Sequence, residues 1–287
     1  MRAALRKLIP YYSRYRRGLF LGLGSLVLKD LFAAAQPLII GLAIDTLLRN
    51  FDFRKLLLFA SALIALSALK GYFQYWMRVI IIGVSRDIEF DLRNDLFTNL
   101  VGLSGDFYTR YRTGDIMARS TNDLNAVRMM LGPGLMYWTE TMLTMALAVG
   151  VMLWVDWPLA LIALAPAPLV SFVVIRFGSF IHSRFEKIQS MFSDISSRVQ
   201  ENLAGVRVIR AYTQEQHELA RFESLNREYI RENVRLARAQ GMFMPTLQAM
   251  IGLSFLAILW AGGTRLLAGN ISVGSFVMFN TYTGMLV

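Results

Sequence analysis

The sequence predicts an all-α membrane protein, and three observations carry that prediction. Five apolar stretches are each long enough to cross a bilayer, which takes roughly 20 residues as a helix, and a sixth begins near the end. Only 17% of the 287 residues are charged, against about 25% in soluble domains. The polar stretches between the apolar ones have the periodicity of helices rather than of loops. One membrane domain is therefore expected, rather than two soluble ones.

The N-terminal segment, residues 1–17, is basic and aromatic, with six Lys or Arg residues and three tyrosines. Lys29 and Asp30 interrupt the apolar run that follows, which argues against a cleaved signal peptide. Basic and aromatic side chains suit the membrane–water interface. We therefore expect an interfacial elbow that lies along the inner membrane surface.

Six helices are expected after this segment, and residues 18–287 are assigned to one transmembrane domain. Pro166 and Pro168 predict a kink in the fourth helix. The sixth has only about 15 residues before the sequence ends, too few to cross a bilayer. With their polar extensions, the helices are expected at about residues 18–48, 56–103, 122–155, 158–204, 216–261 and 273–287.

The distribution of basic residues predicts the orientation, because Lys and Arg accumulate on the cytoplasmic side. Residues 1–17, 86–128 and 176–238 hold six, six and eleven of them. The three intervening connections, at residues 49–55, 156–157 and 262–272, hold three, none and one. The N-terminus and the two long connections are therefore expected in the cytoplasm, at the inner face of a plasma membrane.

The long connections are predicted to continue the membrane helices as stalks. Ile88, Leu92, Leu96 and Leu100 recur at steps of four, which indicates one apolar face of a helix. A helix from residue 55 to 103 would be about 70 Å long at ~1.5 Å per residue, more than twice the ~30 Å hydrocarbon core. Residues 177–232 are likewise amphipathic. Each pair of stalks must turn at its far end.

The two turns carry candidate docking helices. In the first, Thr113-Gly114 is expected to end a helix, and Ser120 with Asp123 can form a capping box for the next. In the second, Gly205 allows a bend, and Val208 with Tyr212 gives a short helix an apolar side. Apolar faces held far from the membrane suit a partner's groove. The alternative is that both are only capped hairpin turns.

Four fragments in order give the chain a specific resemblance to a known family. It resembles the transmembrane domain of ABC exporters, of the six-helix type with helices extended into the cytoplasm and two coupling helices. The resemblance extends over essentially the whole chain. It is carried by "DLRNDLFTNLVGLSGDFYTRYRTGDIMARSTNDLNAVR", "WVDWPLAL", "ENLAGVRVIRAYTQEQHELARF" and "GNISVGSFVMFNTY".

The resemblance implies that the two turns contact nucleotide-binding domains, and that Tyr212 is the aromatic anchor of the second contact. It also implies a second transmembrane half, as a homodimer or heterodimer, with ATP and Mg²⁺ on the nucleotide-binding domains. The implied coupling residues are Thr113, Gly114, Asp115, Ile116, Met117, Arg119 and Asn122 in the first turn, and Arg207, Val208, Ile209, Arg210, Ala211, Tyr212, Gln214 and Glu215 in the second.

The sequence departs from complete members of that family in one respect. It contains no G-x-x-x-x-G-K-[ST] stretch, so it has no phosphate-binding loop and no ATPase site of that kind. We interpret it as a sequence truncated within the last helix, whose complete protein is expected to be an ATP-hydrolysing translocase. Catalytic residues are not expected in this chain.

Polar residues within the apolar stretches are candidates for lining a translocation cavity, because their burial in lipid is costly. Pairing with neighbouring helices is the alternative interpretation. The methionines suit a permissive cavity, since Met adapts to varied shapes. The candidates are Lys29, Asp30, Gln36, Lys70, Gln74, Glu140, Met244 and Gln248.

Other classes of function are excluded or weaker. The sequence has no cysteine, and His182 with Glu186 supplies only two ligands, so no metal site is predicted. The net charge of +10 fits basic membrane faces better than nucleic-acid binding. Two alternatives to an exporter domain stay open. One is an ATP-independent transporter or channel, and the other is a membrane-anchored scaffold that binds a cytosolic partner.

Overall fold

A computed structural model describes residues 2–286 of the chain, and every regular element over that range is a helix. The side chains of residues 8–286 are described. The chain forms two compact units. The first comprises the described residues up to Ala160 together with those from Gly262 onward, and the second comprises Leu161–Ala261.

The helices are named in chain order, and two short segments, Arg119–Asp123 and Met130–Gly134, have π-helical hydrogen bonding. The α-helices are α1 Arg2–Arg14, α2 Arg16–Arg49, α3 Phe53–Val101, α4 Gly105–Arg110, α5 Thr113–Ala118, α6 Leu124–Met129, α7 Leu135–Val155, α8 Trp157–Leu164, α9 Ala167–Ala204, α10 Val206–Ala211, α11 Glu215–Leu267 and α12 Val273–Leu286.

Five helical stretches are long and apolar enough to span a membrane, judged by length and composition. They agree with the five complete spans predicted from the sequence. The sixth prediction corresponds to α12, whose 14 described residues are fewer than a span needs. The five stretches are Arg16–Arg49, Phe53–Val101, Thr113–Val155, Trp157–Ala204 and Glu215–Leu267.

The first unit is built around α2, which packs against α3, α7 and α12. Small residues on α2 bring it close to α3: a Cβ added to Gly22 would lie 2.6 Å from the Ile81 side chain. Close approach of helix backbones commonly stabilises helix association in lipid, because the hydrophobic effect contributes little to that association. Leu26, Met77 and Met136 fill the centre of this packing and are almost fully buried.

The second unit contains a long helical hairpin, in which α9 and α11 are joined through α10. Phe177 packs on Phe243 with ring centroids 5.6 Å apart, and Phe192 packs on Tyr229 at 6.4 Å. The two ring pairs fix the register of α9 against α11. The 53 residues of α11 extend for about 80 Å at ~1.5 Å per residue.

The prediction that the second span continues as one long helix is confirmed for α3, which has 49 residues and is about 74 Å long. Part of its apolar stripe packs in one cluster. Ile88 lies in a buried cluster with Val84 and Leu131, and Leu92 packs against that cluster. The kink predicted for the fourth span is also observed, because the helix is interrupted between Leu164 and Ala167, with Pro166 capping α9.

The first turn differs from its prediction. Thr113 begins a helix instead of ending one, and the separate short helix is α4, just upstream. The predicted capping box at Ser120 is wrong, because its hydroxyl donates to the carbonyl of Ile116 at 2.8 Å. Helical hydrogen bonding then continues through the two π-helical segments into α7. Ser120 is therefore an interior helical residue.

The end of the fifth helix also differs from its prediction. Gly262 and Gly263 were expected to lie in a connection, yet α11 runs through both to Leu267. Within this helix Gly262 allows close packing, since a Cβ there would lie 2.8 Å from the ring of Phe276. Arg265 then reaches Asp156, with Nη2 and Oδ2 2.9 Å apart.

Candidate functional site

We call residues 96–122, which form the first turn, the first tip. It contains a small apolar pocket between the end of α3 and the start of α5. The rings of Phe107 and Tyr111 pack with centroids 4.6 Å apart, and the hydroxyl of Tyr108 donates to the carbonyl of Leu100. The bond from Tyr108 holds α4 against the end of α3. The pocket has a volume of about 190 Å³, and its lining comprises Leu96, Asn99, Leu100, Leu103, Phe107, Tyr111, Asp115, Ile116 and Arg119.

Most of the sequence-predicted coupling residues of the first tip are exposed. Ile116 is half-buried towards the pocket, whereas Met117 is 59% exposed and presents an apolar side chain outward. The sequence analysis missed α4, although "GDFYTR" follows Ser104, and serine is a residue type that commonly precedes a helix start. The remaining exposed residues are Thr113, Gly114, Asp115, Arg119 and Asn122.

The second tip, residues 205–215, contains the short helix that its sequence predicted. Gly205 ends α9, α10 follows for six residues, and Thr213 adopts a left-handed conformation with φ of 53°. The amide of Gln214 donates to the carbonyl of Ile209 at 2.9 Å and closes the turn.

The exposed face of the second tip is apolar and aromatic. Tyr212 is 73% exposed and Val208 is 61% exposed, and they lie four residues apart on one face. Ile209 is half-buried, and the other predicted coupling residues of this tip, Arg207, Arg210, Ala211, Gln214 and Glu215, are exposed. Two large unpaired apolar side chains on so short a helix form a surface that a partner could cover.

Each stalk contains a buried glutamate surrounded by cations. In the first unit, Glu89 contacts Arg86 at 3.1 Å, Arg93 at 2.6 Å and Arg128 at 3.4 Å. Arg128 belongs to α6, so this contact ties the chain beyond the first tip back to α3. The carboxylate of Glu89 is 8% exposed. The sequence analysis did not single out this residue.

In the second unit, the buried glutamate surrounded by cations is Glu232 of α11. It contacts Arg184 at 2.9 Å and Lys187 at 3.0 Å, both on α9, and Arg235 on its own helix at 2.8 Å. The hydrogen bond from Lys187 holds the pKa of Glu232 below its ordinary value, against the opposing effect of desolvation. These ion pairs hold the hairpin together between its tip and its apolar part.

The N-terminal helix α1 is bonded to α3. Tyr11 donates to Asp95, Tyr15 donates to Asp91 at 3.0 Å, and Arg14 contacts Asp91 at 3.2 Å. The hydrogen bond to Asp95 raises the pKa of Tyr11, and desolvation followed by the bond to Asp91 raises that of Tyr15. The aromatic residues that predicted an interfacial segment therefore also attach it to a stalk.

Three of the intramembrane candidates form one buried cluster. The Nζ of Lys29 lies 2.7 Å from Oδ1 of Asp30 and also contacts Oε1 of Glu140 on α7. Lys29 and Asp30 are 4% and 2% exposed, and they pair with neighbouring charged side chains.

The other intramembrane candidates are scattered. Gln36 donates to the hydroxyl of Ser67 at 3.0 Å, and Lys70 and Gln74 are partly exposed on α3. Met244 and Gln248 belong to the second unit and are exposed on α11. The structure thus brings Lys29, Asp30 and Glu140 together, and within the first unit it leaves Gln36, Lys70 and Gln74 outside that cluster.

Near the C-terminal end of α2, Asp45 fixes the start of α12. Its carboxylate accepts from the amide of Gly274 at 2.8 Å and from the hydroxyl of Ser272. Asp156 and Arg265 form a second pair in the same unit, and Asp156 also accepts from the amide of Leu159 at 2.9 Å. The sequence analysis missed both aspartates. Asp156 stands directly before α8, a position typical of N-cap residues, whereas Asp45 lies within α2 and bonds to residues distant in sequence.

Among the described residues, no group of three or more His, Cys, Asp or Glu side chains is arranged to hold a metal ion. Long apolar helices, extended stalks and exposed tips define a multi-pass integral membrane protein. The family model described as "ABC transporter transmembrane region" matches residues 19–287. The chain therefore belongs to the ABC transporter transmembrane-region family, which confirms the resemblance and the fold class.

Similar proteins in bacteria support this membership. The chain is 31% identical, over its whole length, to a probable multidrug resistance ABC transporter ATP-binding/permease protein of Bacillus subtilis and spans 49% of that protein. It is 29% identical over 96% of its length to the multidrug resistance-like ATP-binding protein MdlA of Escherichia coli, and spans 47% of it. A multidrug efflux ATP-binding/permease protein of Mycobacterium tuberculosis is 30% identical over 95% of the chain. The chain thus spans about half the length, or less, of these relatives.

Proposed function

We propose that this chain is the transmembrane domain of an ATP-driven exporter and forms half of a substrate translocation pathway. The observation that carries the proposal is the apolar face of the second tip, where Val208 of the six-residue helix α10 and Tyr212, which directly follows that helix, are more than half exposed. Exposed aromatic side chains of this kind are typical anchors of protein interfaces. The partner that fits is a nucleotide-binding domain.

The long helices are the means by which such a contact could act on the membrane part. α3 and α11 are each continuous from a tip into an apolar stretch, so a force applied at a tip is transmitted along one helix. Buried ion pairs at Glu89 and Glu232 hold each stalk together as a lever. Alternating access follows when two states of the partner favour two arrangements of these levers.

The first tip is proposed as the second contact, with Met117 as its most prominent apolar residue. Because α4 is a separate helix at the turn, we extend the proposed surface to include it. The coupling set from the sequence is retained as part of this proposal: Thr113, Gly114, Asp115, Ile116, Met117, Arg119 and Asn122, with Arg207, Val208, Ile209, Arg210, Ala211, Tyr212, Gln214 and Glu215 at the second tip.

ATP and Mg²⁺ would be bound by the nucleotide-binding domains, since this sequence has no phosphate-binding loop of its own. The relatives' names include ATP-binding, multidrug resistance and multidrug efflux. We propose by analogy that the complete protein hydrolyses ATP and exports several compounds. A second transmembrane half, identical or different, would complete the pathway.

The proposed location is a bacterial plasma membrane, with the N-terminus and both tips in the cytoplasm. The support is the distribution of Lys and Arg, which concentrate in residues 1–17, 86–128 and 176–238. Met244, Gln248 and the polar residues Gln36, Lys70 and Gln74 remain proposed cavity-lining positions. Their side chains are at least partly exposed in this chain, so a substrate could reach them.

The test is Tyr212→Ala in the complete transporter, reconstituted in lipid vesicles. Removing the exposed ring should weaken docking, so transport should fall at least tenfold while basal ATP hydrolysis falls less, and the number of ATP molecules used per transported molecule should rise. Phe185→Ala is the matched control, because Phe185 is a 57% exposed ring on α9 away from the tip. Equal transport in Tyr212→Ala and Phe185→Ala would contradict the docking role.

A further inference from the structure

The cluster of Lys29, Asp30 and Glu140, here called the carboxylate–lysine cluster, has an unbalanced charge. One ammonium contacts two carboxyl groups, one from its own helix and one from α7. With all three groups ionised, the cluster would carry a net charge of −1 in an apolar part of the first unit. An uncompensated charge buried there is strongly unfavourable, and such groups neutralise by taking up a proton instead.

The contacts of the two carboxylate oxygens of Asp30 show where the excess negative charge is located. Oδ1 of Asp30 faces the Lys29 ammonium at 2.7 Å, whereas Oδ2 is buried and has no hydrogen-bond partner. The side chain of Asp30 is 1% exposed, so water does not solvate it. A buried ionised oxygen without a donor is costly, whereas a proton on one of the two carboxyl groups removes the excess charge.

Among the side chains that the structure describes, the surrounding helices bring no other cation to the cluster. The charges that act on Asp30 are those of Lys29 and Glu140. On α3, Lys70 and Arg78 are partly or largely exposed, and neither forms an ion pair with these two carboxyl groups among the described side chains. On α1, Arg14 forms its ion pair with Asp91 of α3.

The remaining neighbours are uncharged. α12 carries no charged residue, and its Tyr282 donates to the carbonyl of Ala34. On α7, the other titratable group is Tyr137, whose side chain is 57% exposed. Thr144 of α7 lies beside Asp30 of α2, and its hydroxyl can donate to that carboxyl but brings no charge. The charge of the cluster is therefore set by its own three members.

We propose that the carboxylate–lysine cluster binds one proton, shared by Asp30 and Glu140, so that one negative charge faces Lys29. Because the two groups interact through the same ammonium, the proton belongs to the pair and not to either residue alone. The side chain of Glu140 is 32% exposed, which gives the proton a route of exchange. Proton loss would leave one excess negative charge in the cluster and would weaken the contact between α2 and α7. This inference is independent of the proposed export activity.

The experiment is infrared difference spectroscopy of the complete protein in bilayers, titrated with alkali. Loss of the shared proton should remove a carboxylic-acid C=O band that is present at neutral pH and shifts in heavy water. Asp30→Asn and Glu140→Gln should each abolish this band, since the remaining Lys29–carboxylate pair is neutral. Glu186→Gln is the control for an exposed carboxylate and should leave the band unchanged.

Lys29→Met should change the carboxylic-acid band in the opposite direction. Without the ammonium, both carboxyl groups should be protonated, so the acid band should increase about twofold. Absence of the band from the unaltered protein at neutral pH would overturn the proposal without need of any variant. Persistence of the band in both Asp30→Asn and Glu140→Gln, or an unchanged band in Lys29→Met, would also overturn it. Thermal unfolding of each variant checks that its fold is retained, and none of these results depends on ATP or transport.

Discussion

Gly41 of α2 and Gly274 of α12 pack backbone against backbone. A Cβ added to Gly274 would lie 2.0 Å from the carbonyl oxygen of Gly41, and a Cβ added to Gly41 would lie 2.9 Å from that of Gly274. The amide of Gly274 also donates to Asp45 of α2 at 2.8 Å. The start of α12 is thereby attached to α2 by close packing and by a charge-assisted hydrogen bond.

Gly274→Ala is expected to destabilise the first unit, because its methyl group must displace α12 from α2. Overpacking of this kind costs about 1–3 kcal/mol. The change would be measured as a lower midpoint of thermal unfolding in detergent. Gly263→Ala is the control, since a Cβ there meets nothing within 4 Å, and it should not lower the midpoint. Equal midpoints for the two variants would show that the close approach is not a constraint.

The ion pairs of Glu232 predict a dependence of stability on pH. The pKa of Glu232 is below its ordinary value of 4.5 in the folded chain. Ionised Glu232 therefore stabilises the fold at pH values above 4.5, and this contribution is lost as the pH falls through the lower folded pKa. The unfolding midpoint should fall on acidification, and Glu232→Gln should have a lower midpoint at neutral pH with a weaker acid dependence.

Glu228→Gln is the matched control for this pH dependence. Glu228 lies one helical turn before Glu232 and is much more exposed, and it contacts Lys187 only at 3.8 Å. Exposed pairs of this kind contribute little to stability. Its substitution should therefore leave the acid dependence almost unchanged. Identical pH profiles for Glu232→Gln and the unaltered protein would contradict the stabilising role of Glu232.

The sequence predicted the long helices well, because their signals are local. An apolar stretch about 20 residues long, followed by an i, i+4 stripe such as Ile88 and Leu92, indicates one helix from membrane to stalk. The short α10 was also predictable, since Gly205 and the apolar pair Val208 and Tyr212 lie within eight residues. In each case the deciding interactions are between residues close in sequence.

Tertiary contacts decided the features that the sequence did not predict. Gly262 packs against the ring of Phe276 from another helix, and the partner of Lys29 lies 111 residues away at Glu140. Ser120 had the spacing of a cap, yet its hydroxyl bonds to Ile116 because the helix already begins at Thr113. A capping pattern alone does not distinguish a helix start from a helix interior.

The backbone of Thr213 is strained, and its substitution tests how the second tip is held. Thr213 is β-branched with φ of 53°, a conformation that costs about 1–3 kcal/mol for a residue of this type. The turn retains it through hydrogen bonds from the amides of Thr213 and Gln214 to the carbonyls of Arg210 and Ile209. Thr213→Asn should therefore stabilise the second unit by about 1 kcal/mol, because Asn tolerates this region better.

Thr213→Gly should stabilise the second unit less than Thr213→Asn does, because glycine removes the strain but increases the entropy of the unfolded chain. Thermal unfolding midpoints would measure both variants. Thr121→Asn is the control, since Thr121 is exposed in a helical segment and has no such strain. If Thr213→Asn did not raise the midpoint above that of Thr121→Asn, the strain would be negligible. Because Thr213 directly follows Tyr212, a rise would show that the turn holds a strained backbone at the base of the proposed docking face.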